Sequence, residues 1–301
     1  MPGTDRPEQR RANARTAVVW EALRGLLDGE PLDVLDIGGG TGVSAVRIAG
    51  MGHRVTVVDP SPDALASLGR RAREEGVEVR TRAEVARVEH DGSGFTLVTG
   101  TGDVRVDHLL VATGRRPHLA DVGLETVGLD PDSDTVAVDE HCRAAERLWA
   151  VGDITGHGAY THMSLYQGRI AVHDILEQDG PPATYHAVSR VTFTDPEVAG
   201  VGLTEAQARE QGIVVVTGTA DIGSSPRGWI DEAAGVVKVV ADAGSGVVVG
   251  ASVVAPYGGE VLGLLSTAVH ARLPVPTLRG MHFAYPTFHR VVERALRDTG
   301  L

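Results

Sequence analysis

Cysteine and lysine are almost absent from this sequence of 301 residues. Cys142 is the only cysteine, which excludes an intrachain disulfide and a Cys-x-x-Cys redox pair. One interpretation is that the neighbouring His141 and Arg143 lower the pKa of the Cys142 thiol, because nearby cations favour the thiolate. The interpretation we favour is an incidental, semi-buried cysteine without chemistry. Lys238 is the only lysine among 28 basic residues, a bias that says little about chemistry.

Long hydrophobic runs and an excess of positive charge are absent as well. The net charge is −12, which argues against binding to nucleic acid or to anionic membranes. The longest apolar runs, such as residues 247–256, are short and contain glycine, so we expect no transmembrane helix. Residues 1–11 are polar, unlike a signal peptide. These observations predict a cytoplasmic protein with room for two or three compact units.

Apolar periodicity near the start of the chain predicts a nucleotide-binding arrangement of strands and helices. An amphipathic helix over residues 11–28 comes first. Two apolar strands follow, at 32–37 and 53–58, and each leads into a helix, at 43–51 and 62–75. This alternation is the doubly wound βαβα pattern, in which a glycine turn lies at the N-terminus of the first helix.

Acidic residues flank the glycine turn. Asp36 precedes Gly38, Gly40 and Gly42, and Asp59 ends the second strand. Asp59 is placed to accept hydrogen bonds from ribose hydroxyls and would repel a 2′-phosphate, which disfavours NADP. A carboxylate in an apolar strand is costly unless it meets a cation or donors, so Asp36 favours the positively charged S-adenosylmethionine over NAD. The first 77 residues thus resemble a class I S-adenosylmethionine-dependent methyltransferase; a half-domain without ligand is the alternative.

The pattern changes after residue 77. Alternating strands at 85–90, 94–99 and 103–106 are joined by glycine turns, as in a meander, and a buried strand follows at 108–112. The later elements are less regular. We predict short strands near 136–138 and 148–151, a helix at 161–177, a linker at 178–184, a hairpin of 236–240 with 247–254, and helices near 258–272 and 287–298.

Three later segments resemble the pyridine-nucleotide disulfide oxidoreductases, a family that includes dihydrolipoamide dehydrogenase, mercuric reductase and soluble transhydrogenase. Residues 107–117 contain Ala-Thr-Gly-Arg-x-Pro, residues 148–153 contain the second FAD motif, and residues 192–205 match the start of the dimerisation domain. The resemblance implies that Thr113 and Gly114 lead the chain back to the FAD domain.

The same resemblance implies how the later residues would contact the cofactor. Gly152 and Asp153 would form a tight turn in which the carboxylate accepts a hydrogen bond from a ribitol hydroxyl of FAD. Thr161 and His162 would open a helix toward the flavin ring, where the positive end of the helix dipole stabilises anionic reduced flavin. A metal site at His157 and His162 lacks a third ligand, so we do not expect one.

The sequence also departs from this family. The first FAD segment and the redox-active cysteine pair are absent from the 301 residues. The family often has His-Pro-Thr followed by Glu near the C-terminus, an acid–base dyad that serves the partner subunit; here Tyr285 and Arg290 occupy those two positions. A phenol with a pKa of about 10 is a poor proton shuttle near pH 7. Tyr285 and the nearby His289 are the candidate catalytic residues, and His282 is a further candidate.

The expected architecture is an α/β Rossmann-like domain followed by an α+β dimerisation domain of the FAD/NAD-linked reductase type. A helical segment (1–30) precedes the Rossmann-like domain (31–112), and a partial FAD-binding segment (113–180) precedes the dimerisation domain (186–301). The Rossmann-like domain would be an apparent hybrid, methyltransferase-like to about residue 77 and reductase-like afterwards. The expected cofactors are FAD at the partial site and NAD or S-adenosylmethionine at the glycine loop.

The leading functional prediction is a flavin-dependent NAD(P)H oxidoreductase with impaired flavin binding. A second copy of the chain, joined through residues 186–301, and a small-molecule substrate are the expected partners, without nucleic acid or membrane. Two alternatives remain open, a methyltransferase-like protein that binds S-adenosylmethionine and a non-catalytic dimeric scaffold.

Overall fold

The computed structural model describes Trp20, Leu23 and residues 25–37, 43–59, 77–81, 83–120 and 122–301. The chain divides into two compact units, Met1–Arg115 and Arg116–Leu301. Trp20, Leu23 and residues 25–27 are helical, in agreement with the helix predicted there. The glycine turn at 38–42 and the helix predicted at 62–75 lie outside the described residues.

The first unit contains a parallel sheet of four strands. In spatial order these are β3 (Glu78–Thr81), β2 (Arg54–Asp59), β1 (Asp33–Ile37) and β7 (His108–Val111), and helix α1 (Val43–Gly50) follows β1. A parallel pair joined through a helix is the βαβ unit of nucleotide-binding folds, so the predicted Rossmann-like arrangement is confirmed.

Alternate residues of β1 face two different layers. Val34 packs with Ala45 and Ile48 of α1, whereas Leu35 packs with Leu97 and Val104 on the other side. The second layer is the predicted meander, an antiparallel sheet of β4 (Val85–His90), β5 (Phe95–Thr99) and β6 (Val104–Val106). Because β1 is covered on both faces, its successive residues Val34 and Leu35 are both apolar, whereas Asp33 and Asp36 interrupt the apolar pattern.

The second unit begins with short elements. Two 3₁₀ helices (Leu124–Val127 and Asp153–Thr155) flank a hairpin of β8 (Arg143–Ala145) and β9 (Leu148–Trp149), and helix α2 (Thr161–Ile175) follows. The strand predicted at 136–138 is wrong, because the N–H of Val136 donates to the carbonyl of Ile154 at 2.8 Å and residues 136–138 form no ladder.

The segment predicted as a linker, residues 178–184, is irregular but anchored. The N–H of Thr184 donates to the Tyr166 hydroxyl at 2.9 Å, and the N–H of Ala183 donates to the carbonyl of Glu140 at 2.7 Å. These bonds hold the segment against α2 and the hairpin.

The remainder of the second unit is an antiparallel sheet of five strands with helices packed against it. The sheet order is β10 (Ser189–Thr192), β11 (Glu197–Gly202), β14 (Val248–Ala255), β13 (Val236–Asp242) and β12 (Val215–Asp221). The helices are α3 (Glu205–Glu210), α4 (Pro226–Ile230), α5 (Gly258–His270), α6 (Val275–Arg279) and α7 (His289–Asp298). The β13–β14 hairpin and the two long helices were predicted, whereas β10, β11 and β12 were missed.

Glycine explains why β12 was missed. Gly218 lies in the middle of a strand that also contains two threonines and an aspartate, and a Cβ atom there would overlap the carbonyl oxygen of Ala295 and lie 2.7 Å from the N atom of Thr299. The glycine lets α7 approach the strand closely, which is one established reason for glycine within a strand. Within the described residues, no helix combines the length and apolarity needed to cross a membrane.

Candidate functional site

The predicted Gly-Asp motif forms a sharp turn after β9. Gly152 has φ 84° and ψ −153°, a backbone conformation that is essentially restricted to glycine. A Cβ atom at this position would lie 3.2 Å from the Cβ of Ser164, so the turn also passes close to the first turns of α2. Asp153 follows at the start of the 3₁₀ helix and is exposed.

A buried glutamine on α2 holds this turn. Gln167 is fully buried, and its Oε1 accepts a hydrogen bond from the N–H of Gly152 at 2.6 Å. Its Nε2 donates to the Thr155 hydroxyl at 2.9 Å and to the Tyr185 hydroxyl at 3.1 Å. The Thr155 hydroxyl in turn donates to the carbonyl of Gly152 at 2.9 Å. The amide of one side chain therefore joins both ends of the turn.

Tyr185 links this network to the only cysteine. Burial raises the pKa of the Tyr185 phenol, and the His157 ring stacks on it with a centroid separation of 3.8 Å. Burial also raises the pKa of the Cys142 thiol, against a smaller opposing effect of its hydrogen bond with Tyr185. The interpretation in which His141 and Arg143 lower this pKa is therefore wrong, because desolvation of the thiolate is the largest influence on it.

The N-terminus of α2 carries the other two predicted flavin contacts. Thr161 and His162 are both exposed, and His162 Nε2 lies 2.9 Å from the carbonyl oxygen of Ser189. The Tyr160 ring stacks near His162 with a centroid separation of 5.2 Å. Within the described part of the chain, no group of three or more His, Cys, Asp or Glu residues could hold a metal ion.

The remaining nucleotide-site predictions fall in the first unit. Asp36 is 2% exposed and lies on the central strand β1, beside Val57 of β2. Asp59 is the last residue of β2. Both therefore lie at the carboxyl ends of parallel strands, where nucleotides bind in open α/β sheets. Gly38, Gly40 and Gly42 lie outside the described residues. Thr113 and Gly114 form an exposed loop after β7, where Gly114 has φ +118°.

The candidate catalytic residues lie near the N-terminus of α7. The Tyr285 side chain is 71% exposed, and His289 is the first residue of the helix. Tyr285 and Arg290 line one small cavity of about 100 Å³, whereas His289 does not. The structure thus brings together Tyr285 and Arg290, the two residues that occupy the positions of the family's acid–base dyad. His289 does not line the cavity that Tyr285 lines.

Three residues around the candidate sites were not predicted from the sequence. Gln167 and Tyr185 hold the Gly-Asp turn, and Arg294 lines the cavity beside Tyr285. Gln167 was detectable in principle, because a glutamine at a position of α2 that faces the core requires hydrogen-bond partners. No sequence pattern marks Tyr185 or Arg294.

Family models match nearly the whole chain. Residues 15–189 match the family described as pyridine nucleotide-disulphide oxidoreductase, and residues 188–296 match the dimerisation domain of the same family. The first match includes the residues whose glycine turn suggested a methyltransferase. The comparisons give no support for a methyltransferase half, for S-adenosylmethionine or for a hybrid.

Characterised relatives belong to the same group of enzymes. The chain is 35% identical over 281 residues to a mercuric reductase of Streptomyces lividans, covering 88% of this chain and 59% of that protein. It is 29% identical over 284 residues to a dihydrolipoyl dehydrogenase of Geobacillus stearothermophilus, covering 88% and 60%. The chain thus spans about 60% of the length of these relatives.

Solved structures agree with the sequence comparisons. LpdA from Mycobacterium tuberculosis superimposes with a TM-score of 0.75 at 28% identity, covering 90% of this chain and 62% of that chain. The HOCl-induced flavoprotein disulfide reductase RclA from Escherichia coli gives a TM-score of 0.71 at 29% identity, covering 92% and 67%. The order of a Rossmann-like unit, a Gly-Asp turn and a dimerisation sheet is therefore that of a known family. The chain belongs to the pyridine nucleotide-disulphide oxidoreductases.

Proposed function

We propose that the protein acts as a homodimeric, flavin-dependent NAD(P)H oxidoreductase. In this proposal residues 31–112 bind the nicotinamide nucleotide, residues 113–180 hold part of FAD, and residues 186–301 form the dimer. FAD, when bound, supplies the two-electron relay between the nicotinamide and a small-molecule acceptor. Membership of the family supports this class of reaction. In the proposal, Tyr285 and His289 are the catalytic residues on the side of the small-molecule acceptor.

The observation that carries the proposal is the turn at Gly152 and Asp153. An exposed carboxylate after a glycine-only conformation fits a polyol such as the ribitol chain, because the glycine permits close approach and the carboxylate accepts a hydrogen bond. Gln167 fixes the turn from behind, so the position of Asp153 is set before a ligand binds. Thr161 and His162 would meet the same cofactor at the N-terminus of α2.

For the glycine turn we propose NAD rather than S-adenosylmethionine. The family comparison supports a pyridine nucleotide here. Asp59 at the end of β2 occupies the place from which an acidic residue binds the ribose hydroxyls of NAD. The same carboxylate disfavours NADP, whose 2′-phosphate it would repel.

We further propose that Cys142 takes no part in the redox chemistry. Cys142 is the only cysteine of the 301 residues, so it has no partner for a dithiol among them. Because this cysteine is buried and its pKa is raised, it is a poor nucleophile.

The test is a visible absorption spectrum of the purified protein, before and after reconstitution with FAD, followed by a fluorescence titration of FAD. We expect flavin to bind and the Asp153→Ala variant to bind it at least about tenfold more weakly, since a hydrogen bond to a charged group contributes about 1.5–3 kcal/mol. Asp134→Ala removes an exposed carboxylate of the same unit and serves as the control. A colourless protein that cannot be reconstituted would contradict the proposal.

Two further measurements test the remaining parts. Calorimetry should show heat of binding with NADH that is lost in Asp59→Ala, and none with S-adenosylhomocysteine; the reverse result would favour the methyltransferase interpretation. Sedimentation should show a dimer, and a monomer would contradict the assignment of residues 186–301. A dimer that binds neither nucleotide nor flavin would instead identify a non-catalytic scaffold.

A further inference from the structure

The joining segment, residues 185–189, leads the chain from α2 toward the five-stranded sheet and ends at the first residue of β10. Loops usually run over the surface, whereas all five residues of this segment are half-buried. Ala187 at its centre packs against the core formed by the sheet and its helices. The joining segment is therefore a packed part of the second unit, and its side chains have fixed neighbours.

The first residue of the joining segment contacts the Gly-Asp turn through Gln167. The Tyr185 hydroxyl accepts from Gln167 Nε2 at 3.1 Å, and the Thr155 hydroxyl accepts from the same nitrogen at 2.9 Å. Because these two oxygens accept, the amide keeps Nε2 toward them and Oε1 toward the N–H of Gly152, from which it accepts at 2.6 Å. A reversed amide would face this N–H with a second donor. Tyr185 therefore helps to hold the one orientation of Gln167 that secures the turn.

The last residue of the joining segment contacts the start of α2. His162 Nε2 lies 2.9 Å from the carbonyl oxygen of Ser189. Since a carbonyl oxygen only accepts, Nε2 carries the hydrogen, and Nδ1 is the acceptor of the neutral ring. The joining segment thus fixes both the position and the tautomer of His162.

Helix α5 of the dimerisation domain holds the joining segment at two points. The hydroxyl oxygens of Ser189 and Ser266 lie 2.8 Å apart. His186 Nε2 lies 3.2 Å from the carbonyl oxygen of His270, and the two histidine rings stack with a centroid separation of 5.9 Å. Ser266 and His270 are four residues apart and therefore share one face of the helix. Through the joining segment, α5 is connected to the turn and to the start of α2.

We propose that the joining segment positions both flavin contacts, with Tyr185 holding the Gly-Asp turn and Ser266 holding His162 through Ser189. This inference rests on the proposed function, which assigns the turn and His162 to FAD. Neither Tyr185 nor Ser266 is assigned a contact with the flavin, so both are positioning residues. The affinity for FAD should consequently depend on the hydroxyl of a residue in the dimerisation domain.

The first experiment is a fluorescence titration of the full chain with FAD. Tyr185→Phe and Ser266→Ala should each weaken binding about two- to tenfold, the range expected for the loss of one neutral hydrogen bond. Ser266→Thr keeps a hydroxyl and should retain most of the affinity. Thr267→Ala is the matched control, because the exposed Thr267 hydroxyl donates to the carbonyl of Gly263 within α5 rather than to the joining segment.

The second experiment uses the protein without flavin. In NMR spectra the amide hydrogen of Gly152 should exchange with solvent faster in Tyr185→Phe than in wild type, because its hydrogen bond is held less firmly. The ring nitrogens of His162 should show one tautomer in wild type at about pH 8, where an ordinary imidazole is neutral, and a mixture in Ser266→Ala. Thr267→Ala should leave both quantities unchanged.

The two experiments fail in different ways. A wild-type chain that binds no FAD would contradict the assignment of the turn and of His162 to the flavin. Unchanged amide exchange in Tyr185→Phe together with a single His162 tautomer in Ser266→Ala would overturn the role of the joining segment. FAD affinities of both variants equal to that of Thr267→Ala would overturn it as well.

Discussion

The side chain of Gln167 accepts a hydrogen bond from the N–H of Gly152 at 2.6 Å, within a fully buried contact. The glutamine lies in the middle of α2, and the glycine lies in the turn that precedes this helix. A turn of unusual backbone conformation needs surrounding structure to maintain it. This one hydrogen bond therefore connects the stability of α2 to the position of the carboxylate that follows at Asp153.

Replacement of Gln167 by leucine should destabilise the protein. The substitution leaves the buried N–H of Gly152 without its partner, which costs about 1–3 kcal/mol. It also removes the hydrogen bonds to Thr155 and Tyr185. Urea unfolding should show the loss, and the affinity for FAD should fall with it. Gln178→Leu changes an exposed glutamine just beyond the same helix and should have little effect. Equal stability of the two variants would contradict the role assigned to Gln167.

A pair of glycine substitutions tests the contact between β12 and α7. In Gly218→Ala the new methyl group would overlap the carbonyl oxygen of Ala295, so strand and helix must separate, at a cost of about 1–3 kcal/mol. In Gly263→Ala the methyl group on α5 meets no atom within 4 Å. This second variant should be neutral or slightly more stable, because alanine favours helix by up to about 1 kcal/mol over glycine. Thermal unfolding should therefore show a lower melting temperature for Gly218→Ala and an unchanged or slightly higher melting temperature for Gly263→Ala.

The only thiol should be protected in the folded protein. Cys142 is fully buried, and its raised pKa leaves little thiolate near neutral pH. Reaction with a chromogenic disulfide reagent at pH 8 should be slow in native buffer and fast in concentrated urea. Cys142→Ser should abolish the signal in both conditions. A native rate equal to the rate in urea would show that the thiol is accessible and reactive, which would contradict its burial.

Most of the first unit could be predicted from the sequence because its physical pattern is local. Strand β1 is covered on both faces, so its successive residues Val34 and Leu35 are both apolar, and the glycines after the strand indicate a turn into a helix. The meander was equally clear, since turns such as that at Asp91 are fixed by their own side chain, whose Oδ1 accepts from the N–H of Ser93 and of Gly94.

The ligand of the same segment could not be predicted from its sequence, for a physical reason. Asp36 suggested a cationic ligand, but a buried acid on a central strand does not by itself identify what it meets. In the second unit, β11 depends on a partner far along the chain: Ala199 pairs with Val253 of β14, and β10 joins the sheet only through β11. The roles of Gln167 and Tyr185 likewise arise only when residues 152–185 fold together, and local periodicity carries no information about this.

The only lysine of the chain forms an ion pair between the sheet and a helix. Lys238 on β13 contacts Glu205 at 2.6 Å, and Arg209 contacts the other oxygen of the same carboxylate at 2.8 Å. The hydrogen bond from Lys238, followed by that from Arg209, lowers the pKa of Glu205 from 4.5 to about 2. Glu205 is the first residue of α3, where a negative charge also favours the helix dipole.

This lowered pKa predicts how stability depends on pH. Above pH 4.5 the Glu205 carboxylate is ionised in both the folded and the unfolded chain, so its stabilising effect is complete. As the pH falls from 4.5 toward 2 the unfolded chain binds the proton first, and the effect is lost. Glu205→Gln should therefore unfold at a lower temperature than wild type at pH 7, and the difference should shrink as the pH falls through this window. Glu210→Gln, which removes an exposed carboxylate at the end of the same helix without an ion pair among the described residues, is the control. The unfolding temperature of Glu210→Gln should be close to that of wild type at pH 7. If the difference in unfolding temperature between Glu205→Gln and wild type stayed constant with pH, this would contradict the ion pair with Lys238.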